Sequence, residues 1–245
     1  MIPCSHPRFK SLSERHAIVR GVGLGITHVQ GLIAQGRGEA FDYLIGERTT
    51  KQARKAIRAA TANLLLARRP VLSVNGNVAA LCSDAVVMLA NELDAKIEVN
   101  LFYRSTARIR NMVSYFRRRH GVDVLHTLRS GKRVPGLGSK RGLVNEHGIW
   151  KADVVLVPLE DGDRTEALRR MGKLVIAVEL NPLSRTAQRA SIAIVDNITR
   201  ALPLMIKDAR RMKRWSGLRL SRLARSFDNK SNLNKSLQII RRGVR

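Results

Sequence analysis

The sequence predicts an α/β protein whose core is a Rossmann-like open parallel sheet flanked by helices, with helical extensions at the N-terminus and the C-terminus. The first observation is that apolar runs of strand length alternate with amphipathic stretches of helix length from about residue 70 onward, which is typical of βαβ units. The second is that several of these runs end in amides or carboxylates, which a purely structural strand does not need. Open α/β folds bind their ligands at the carboxyl ends of the strands.

The N-terminal segment, residues 1–69, is predicted to be helical and to pack on the core. Residues 11–34 carry apolar side chains every three or four positions, although four glycines weaken the helical pattern. Gly36-Arg37-Gly38-Glu39 predicts a break, and residues 40–45 predict a further helical turn. A clearer amphipathic helix is predicted over residues 50–67.

The core, residues 70–200, is predicted to contain the strands of the sheet and the helices between them. The sheet is organised around residues 71–81, an apolar strand that ends in polar residues and glycine. The later predicted strands are 97–101, 122–125, 153–159, 174–180 and 192–195. The predicted helices are 83–93, 105–120 and one that ends near Gly172. The long segment 127–149 predicts a functional lid or binding loop.

The C-terminal segment, residues 201–245, is predicted to be helical and carries 13 Lys and Arg residues against Asp208 and Asp228. The three segments are expected to form one integrated domain. The whole chain has 45 Lys and Arg against 19 Asp and Glu, a formal charge of +26. Such a surface attracts polyanions, whether nucleic acid, acidic membranes or phosphorylated metabolites, and the charge alone does not distinguish among them.

The sequence argues against several classes of protein. No run of about 18 apolar residues is long enough to span a bilayer, and the first residues lack the apolar core of a secretory signal, so no membrane association is expected. Cys4 and Cys82 are far apart and lack histidines at metal spacing, so a reduced, cytoplasmic setting is expected. Gly21-Val22-Gly23-Leu24-Gly25-Ile26 lacks the third glycine of the dinucleotide fingerprint, which disfavours an ordinary dinucleotide oxidoreductase.

Polar side chains at predicted loop positions suit phosphate binding, and each has a structural alternative. Arg37, between two glycines, can clamp phosphate oxygens bidentately or can be an ordinary surface arginine. Arg185 and Thr186 pair a charge with a hydroxyl, or they begin a capped helix. Asn197 and Ile198 offer an amide and an apolar wall for a base, or they too mark a helix cap.

Three carboxylates, Glu160, Asp161 and Asp163, gather at one predicted strand end. They suit a magnesium ion that bridges phosphates, and they equally suit the positive end of a helix dipole. The six histidines show no metal-ligand spacing. No metal site built from protein side chains alone is therefore predicted.

Several blocks of the sequence match one known family in order and at similar spacing, from the start of the chain to about residue 230. They include Gly36-Arg37-Gly38-Glu39-Ala40-Phe41-Asp42-Tyr43, Val74-Asn75-Gly76-Asn77 and Leu159-Glu160-Asp161-Gly162-Asp163-Arg164. The remaining blocks are residues 2–3, 5–8, 31–34, 44–47, 78–81, 100–104, 148–153, 165–168 and 180–185. On these residues the chain resembles the archaeal phosphopantothenate synthetases, which are the 4-phosphopantoate:β-alanine ligases of coenzyme A biosynthesis.

The resemblance implies an ATP-dependent ligase that joins 4-phosphopantoate to β-alanine through an acyl-adenylate and releases AMP and diphosphate. It also implies dependence on magnesium and a Rossmann-like homodimer. The ATP contacts that it implies are Arg15, Arg37, Glu179, Leu180, Asn181, Arg185, Thr186, Asn197 and Ile198. Strand-end position alone adds candidates for phosphopantoate, β-alanine or magnesium, namely Asn75, Asn77, Arg104, Asp161 and Arg164. No catalytic side chain is assigned, because positioning and neutralisation of phosphate charge supply most of the catalysis in such a reaction.

The alternative function is that of a basic nucleic-acid-binding protein on an α/β scaffold. It accounts for the charge of +26, and the C-terminal segment is more basic than the family resemblance leads one to expect. It leaves the strand-end amides and carboxylates unexplained, and aromatic residues make up only 4% of the chain, so few rings can stack on bases. Nucleic acid is therefore not a required partner, although the basic surface could bind it non-specifically.

Overall fold

The strands of the protein form one main sheet and one small hairpin in the computed structural model, which describes residues 3–243. The strands are β1 (Pro70–Val74), β2 (Lys96–Val99), β3 (Lys132–Arg133), β4 (Leu143–Val144), β5 (Val154–Pro158), β6 (Leu174–Val178) and β7 (Ile192–Ile194). Five of them form a parallel sheet in the order β2-β1-β5-β6-β7, while β3 and β4 pair antiparallel. The predicted fold class is confirmed. Ile2, in the first matching block, and Arg245, in the basic tail, lie outside the described residues.

Helices flank the sheet, and further helices precede its first strand and follow its last strand along the chain. They are α1 (Phe9–Gly23), α2 (Gln30–Leu44), α3 (Lys51–Leu66), α4 (Gly76–Leu93), α5 (Thr106–His120), α6 (Gly162–Arg170), α7 (Arg185–Arg189), α8 (Ile198–Met212), α9 (Gly217–Arg225) and α10 (Asn229–Arg242). Several begin at a polar side chain that accepts a hydrogen bond from a helical N–H, as Thr50 does from Ala53 N and Ser105 from Arg108 N. These capping residues are the local sequence signal that determines where each of these helices begins.

The sheet is buried on both faces, which explains why β5, β6 and β7 consist of Val, Leu, Ile and Ala apart from Pro158. Side chains such as Ile176 and Val178 pack under α3, α4 and α8. Their neighbours Val175 and Ala177 point to the other face, toward α6 and α7. Residues 3–243 contain no helix with both the length and the apolar composition that a membrane crossing requires.

A topological switch point lies between β1 and β5. The chain passes from β1 through α4 to β2 on one side, then crosses to β5, which pairs with the other side of β1. Connections therefore leave the carboxyl ends of β1 and β5 in opposite directions and open a crevice between them. Doubly wound folds bind ligands at such a point.

The N-terminal helices differ from the prediction. The helix expected over 11–34 is divided, since α1 ends at Gly23 and α2 begins at Gln30. The break expected at Gly36-Arg37-Gly38 is wrong, because these residues lie inside α2. Tertiary contacts outweigh the poor helix propensity of glycine here: a Cβ placed on Gly38 would touch Leu180 at 3.4 Å, so α2 passes directly over the end of β6.

Two further expectations about the core need correction. β1 ends at Val74, and α4 begins directly after it with Asn75 as its cap. Backbone angles at Cys82 are not helical, and the predicted helix 83–93 is the part of α4 after this kink. Residues 122–125 form no strand and contribute one isolated bridge between Leu125 and Glu98. The segment 127–149 is not structureless, since it contains the β3–β4 hairpin.

The predicted division at residues 69 and 200 stays a prediction. The N-terminal and C-terminal segments contact each other directly, because α3 packs against both α8 and α9. α8 also packs along α4 of the central segment. These contacts join the three segments through shared apolar surfaces.

Candidate active site

A cleft of about 300 Å³ lies at the switch point, where β1 and β5 end. Three guanidinium groups line it, from Arg37, Arg108 and Arg141, and Asp161 supplies the one carboxylate among its lining residues. The cleft is also lined by the amides of Asn75 and Asn77, the rings of His28, Phe102 and Tyr103, and the apolar side chains of Ile33, Leu101 and Leu159. A cleft with this charge suits a small ligand that carries more negative than positive groups.

Asn75 and Asn77 hold the two walls of the cleft together. Asn75 Nδ2 donates to the carbonyl oxygens of Pro158 and Leu159 at 3.2 and 3.0 Å, and its Oδ1 accepts from Val78 N. Asn77 Nδ2 donates to the carbonyl oxygen of Gly31 at 2.8 Å and so ties α4 to α2. Both amides are therefore engaged within the fold while their side chains line the cleft.

The backbone at the end of β5 is strained. Leu159 has φ of 52°, in the left-handed region that an L-residue with a branched side chain seldom adopts. Its N–H donates to Val178 O, and its carbonyl accepts from Asn75. Such strain costs roughly 1–3 kcal/mol and persists where surrounding contacts enforce it, often at ligand sites.

Below the cleft, buried arginines enclose a carboxylate. Arg141 donates to Asp161 Oδ2 at 2.6 Å and forms an ion pair with Glu160 Oε1 at 2.6 Å, and its side chain is 4% exposed. Arg164 is fully buried and pairs with the other oxygen of Glu160 and, at 3.3 Å, with Ser73 Oγ. Arg164 therefore has no exposed surface to offer a ligand, and this network anchors the segment 127–149 to the end of β5.

The three carboxylates expected at this strand end do not form a metal cluster. Both oxygens of Glu160 are paired with arginines, whereas Asp163 is exposed and accepts from Arg164 N at the start of α6. Within residues 3–243, no group of three or more His, Cys, Asp or Glu side chains is placed to hold a metal ion. The helix-terminus interpretation describes Asp163.

Arg104 does not line the cleft, although Phe102 and Tyr103 beside it do. Its guanidinium donates to the carbonyl oxygen and the hydroxyl of Thr127 at 2.6 and 2.8 Å. It borders a separate depression shared with Arg129. Its direct partner is thus the segment 127–149.

A second group of side chains surrounds the ends of β6 and β7, beneath α2. Glu179 Oε1 accepts from Asn181 N at 2.9 Å, and Leu180 is buried beside α2. Burial raises the pKa of Glu179, and the nearby charge of Arg37 opposes that rise. Arg37 therefore lies between this group and the cleft.

Arg15 reaches the same region from α1. Its Nε and Nη2 donate to the two oxygens of Glu39 on α2, each at 2.8 Å. Burial alone would raise the pKa of Glu39, but its hydrogen bonds with Arg15 and Tyr43 hold that pKa below its usual range. This bidentate pair fixes the guanidinium of Arg15 beside α2.

Asn197 caps α8, since its Oδ1 accepts from Thr199 N at 3.1 Å. Its Nδ2 also donates to Asp42 at 3.0 Å and to Glu14, so one amide joins α8 to both N-terminal helices. Ile198 is buried directly after it. The helix-cap alternative is therefore correct for Asn197, and the nearby carboxylates of Asp42 and Glu14 also accept from Arg200 and Thr199.

Arg185 and Thr186 begin α7 at the junction of the two groups. Arg185 is exposed and donates to Glu166 at 2.8 Å, while Thr186 is buried and donates to the carbonyl oxygen of Glu160 at 2.6 Å. A Cβ on Gly162 would overlap the side chain of Arg185. Arg185 thus lies across the start of α6, next to Asp161.

The structure brings most of the candidate residues to one edge of the sheet. Four of them line the cleft, Arg37, Asn75, Asn77 and Asp161, and the second group adjoins it through Arg37 and Arg185. Sequence reasoning missed Arg108 and Arg141. Arg141 lies in the segment 127–149, whose prediction as a binding loop was the available signal. Arg108 lies on the helix predicted over 105–120, and no local signal indicates that its guanidinium donates to Ile26 O at 2.7 Å.

Comparisons with known proteins find one family that matches most of the chain. Residues 52–243 match the family model described as phosphopantothenate/pantothenate synthetase. The chain is 55% identical over 240 residues to a protein of Thermococcus onnurineus named 4-phosphopantoate--beta-alanine ligase, a match that covers 98% of this chain and 92% of that one. It is 52% identical over 242 residues to the protein of the same name from Methanosarcina mazei, covering 98% and 94% of the two chains.

A relative of the same name from Methanospirillum hungatei is 48% identical over 202 residues, which cover 82% of each chain. The chain belongs to the phosphopantothenate/pantothenate synthetase family.

Proposed function

We propose that this protein is an ATP-dependent ligase that joins 4-phosphopantoate to β-alanine, giving 4′-phosphopantothenate and releasing AMP and diphosphate in coenzyme A biosynthesis. The observation that carries the proposal is identity of 48–55% with ligases of that name along most of the chain. The cleft supports it, since the guanidinium groups of Arg37 and Arg108 line it, form no ion pair within residues 3–243, and match a substrate that carries a phosphate and a carboxylate.

The chemistry proceeds in two steps. The carboxylate of phosphopantoate attacks the α-phosphorus of ATP and expels diphosphate, and the amine of β-alanine then attacks the acyl-adenylate and expels AMP. Fixed positive charges that neutralise the phosphates and hold the reacting groups together lower the barrier of the first step. Arg37 is placed for this role because it lies between the cleft and the end of β6.

ATP is proposed to bind over the ends of β6 and β7, against the residues that the resemblance implies. Arg15, Arg37 and Arg185 border this region and supply positive charge to the triphosphate. Leu180 and Ile198 are buried there, so we expect the adenine base to contact their backbone atoms rather than their side chains. The cleft between β1 and β5 then remains for phosphopantoate and β-alanine.

Magnesium is proposed to arrive with ATP rather than to reside in the protein. Mg²⁺ is commonly held by one or two carboxylates together with substrate phosphates. The side chains of residues 3–243 include no cluster of three ligands, so they do not fit a resident ion. We expect magnesium to be required for turnover and to be absent from protein purified without nucleotide, as measured by elemental analysis.

A homodimer is also proposed, formed through the N-terminal helices. Val19, Leu24, Val29, Leu32 and Leu44 are each more than 40% exposed on or beside α1 and α2, which pack together. Exposed apolar side chains in this number on a charged protein fit a second copy of the chain. Light scattering is expected to show a dimer that Leu24→Asp dissociates and that Leu218→Asp, on α9, leaves intact; a monomeric wild type would contradict this.

The site of action is proposed to be the cytoplasm, where ATP is made. The activity itself is tested by incubating the protein with ATP, 4-phosphopantoate and β-alanine and separating the nucleotides. AMP is expected to form over many turnovers only when 4-phosphopantoate and β-alanine are both present, with one AMP released for each amide made. Formation of ADP, or binding of RNA without any AMP, would contradict the proposal, the latter in favour of the nucleic-acid alternative.

A further inference from the structure

We propose that Asp161 binds the amino group of β-alanine and accepts the proton that this group must lose before it attacks the acyl-adenylate. The inference rests on the proposed function and extends it, because it assigns a catalytic residue to the second step. It starts from the charges of the cleft. Three lining side chains are guanidinium groups and one is a carboxylate.

The charges of the two substrates match that composition. Phosphopantoate brings a phosphate and a carboxylate, and β-alanine brings a second carboxylate together with one ammonium group. Arg37 and Arg108 suit the anionic groups, because Arg141 is already paired with Glu160 and Asp161. Only Asp161 among the lining side chains can pair with an ammonium. The remaining titratable groups of the lining are His28 and Tyr103, whose rings stack with centroids 4.2 Å apart.

Asp161 has one oxygen available for this role. Its Oδ2 accepts from Arg141 at 2.6 Å, and its Oδ1 accepts no hydrogen bond from any residue between 3 and 243. The side chain is 40% exposed, so a ligand in the cleft can reach it. Arg141 fixes the carboxylate at the switch point and leaves the second oxygen to the substrate.

The neighbouring carboxylates are less suitable. Glu160 has both oxygens paired with buried arginines, and Glu179 does not line the cleft. Burial raises the pKa of Asp161, with Arg141 opposing that rise and Glu160 adding to it. A raised pKa makes the carboxylate a better proton acceptor near neutral pH.

The second step then balances as follows. β-Alanine enters as an ammonium and passes one proton to Asp161; the free electron pair on nitrogen forms the bond to the acyl carbon. The bond between that carbon and the AMP oxygen breaks, and AMP leaves with its electron pair. The second proton of the former ammonium leaves with the AMP phosphate or to water, and the amide remains.

The test separates the two steps in Asp161→Asn, whose side-chain oxygen can still accept from Arg141. We expect formation of the acyl-adenylate, followed as diphosphate release from ATP and phosphopantoate, to stay near the wild-type rate. Amide formation with β-alanine should fall about 100-fold or more, within the usual range for loss of a general base. Hydroxylamine, an acceptor that is uncharged at neutral pH, should give hydroxamate at close to the wild-type rate.

Two further variants complete the design. Asp161→Glu should recover part of the amide formation, because it keeps a carboxylate in the cleft. Asp123→Asn is the matched control, since Asp123 is also paired with an arginine, Arg117, but lies outside the cleft; all its rates should be those of the wild type. Thermal unfolding of each variant shows whether it is folded.

The outcomes are distinguishable. If Asp161→Asn forms amide at the wild-type rate, or if it loses adenylate and hydroxamate formation as much as amide formation, the inference is wrong while the proposed function stands. If the wild type itself forms no adenylate from ATP and phosphopantoate, the proposed function fails, and the inference fails with it.

Discussion

At the scale of single residues, the arginines of this edge of the sheet fall into two kinds. Arg141 and Arg164 are buried and their charges are matched by Glu160 and Asp161. Arg37 is exposed and forms no ion pair within 4 Å in the part of the chain that the structure describes. The first kind builds the site, and the second kind is available to a polyphosphate.

The exposed arginines are expected to matter for the nucleotide. Arg37→Ala and Arg185→Ala should each lower kcat/KM for ATP at least about tenfold, because each removes a positive charge beside the expected triphosphate. Arg189→Ala is the matched control, since Arg189 lies on the same short helix and also approaches Glu166, at 3.7 Å. Steady-state kinetics with wild-type values in both variants would refute the ATP assignment.

The buried ion pair between Glu160 and Arg164 is expected to contribute to the stability of the fold. Glu160→Gln removes the counter-charge of Arg164, which has no exposed surface, and breaking such a pair costs about 3–5 kcal/mol. The double variant Glu160→Gln/Arg164→Met should recover part of that loss in the free energy of unfolding measured with denaturant. Glu166→Gln, on the surface, should have little effect; an equally small effect of Glu160→Gln would contradict the role given to the pair.

The role of a residue could be predicted from the sequence where it depends on near neighbours in the chain. It could not be predicted where it depends on burial in the folded protein. The helix caps at Asn75 and Asn197 and the polar ends of the strands follow from residue type and position. The burial of Arg164 and Arg141 does not, because a sequence gives no sign that a distant carboxylate will meet an arginine in the interior. For the same reason, the sequence did not show that Glu160 and Asp161, which suit magnesium and a helix terminus equally, pair with buried arginines.

At the scale of elements, close packing of α4 against the connection between α1 and α2 shapes the cleft. A Cβ on Gly76 would overlap the carbonyl oxygen of Ile26, whose backbone cannot move without displacing that connection. Gly76→Ala should therefore destabilise the protein by roughly 1–3 kcal/mol and weaken substrate binding.

Gly36→Ala is the matched control, since nothing lies within 4 Å of the added methyl group inside α2. It should raise the free energy of unfolding by about 0.5–1 kcal/mol, because alanine favours a helix over glycine. The two substitutions are thus expected to shift the unfolding midpoint in opposite directions. Shifts of the same sign would contradict the close approach of the two elements.

The segment 127–149 is held by a buried carboxylate. Glu98 on β2 accepts from Asn145 N and Ile149 N at 2.9 and 2.7 Å, and burial raises its pKa to about 7. The folded protein therefore retains a proton between pH 4.5 and about 7 that the unfolded chain has released. The stability from this group is fully present below that window and is lost as pH rises through it.

The comparison with Glu98→Gln isolates this effect. The difference in free energy of unfolding, wild type minus variant, should fall as pH rises from 5 to 7, by at most about 1.4 kcal/mol per pH unit. Urea titrations at a series of pH values provide the measurement. A difference that stays constant, or that increases with pH, would contradict the raised pKa.

Helices and strands were predicted correctly where the spacing of apolar residues follows a single pattern. The predictions failed where tertiary packing outweighs that pattern. The five strands of the sheet and the helix at α3 follow from clear patterns. The division of the N-terminal helix, and the passage of α2 through two glycines, depend on contacts with β6 and α4 that lie more than 30 residues away in the sequence. Short-range signals therefore placed Arg37 in a loop when it lies on a helix.

At the scale of the whole molecule, the parallel order of the sheet determines where everything else can act. The switch point between β1 and β5 opens the cleft, and the ends of β6 and β7 extend the same edge toward the N-terminal helices. The charge of +26 gives this edge a positive surrounding that attracts phosphorylated substrates and weakens with salt. The pattern of alternating strands and helices predicted this architecture, whereas the shape of the cleft required the folded chain.

The most direct test of the account follows one oxygen atom. Phosphopantoate labelled with ¹⁸O in its carboxylate is incubated with the protein, ATP and β-alanine, and the AMP is analysed by mass spectrometry. Attack of that carboxylate on the α-phosphorus predicts that the AMP gains one labelled oxygen. Label found in inorganic phosphate with ADP as the nucleotide product, or AMP that carries no label, would contradict the proposed reaction at this edge of the sheet.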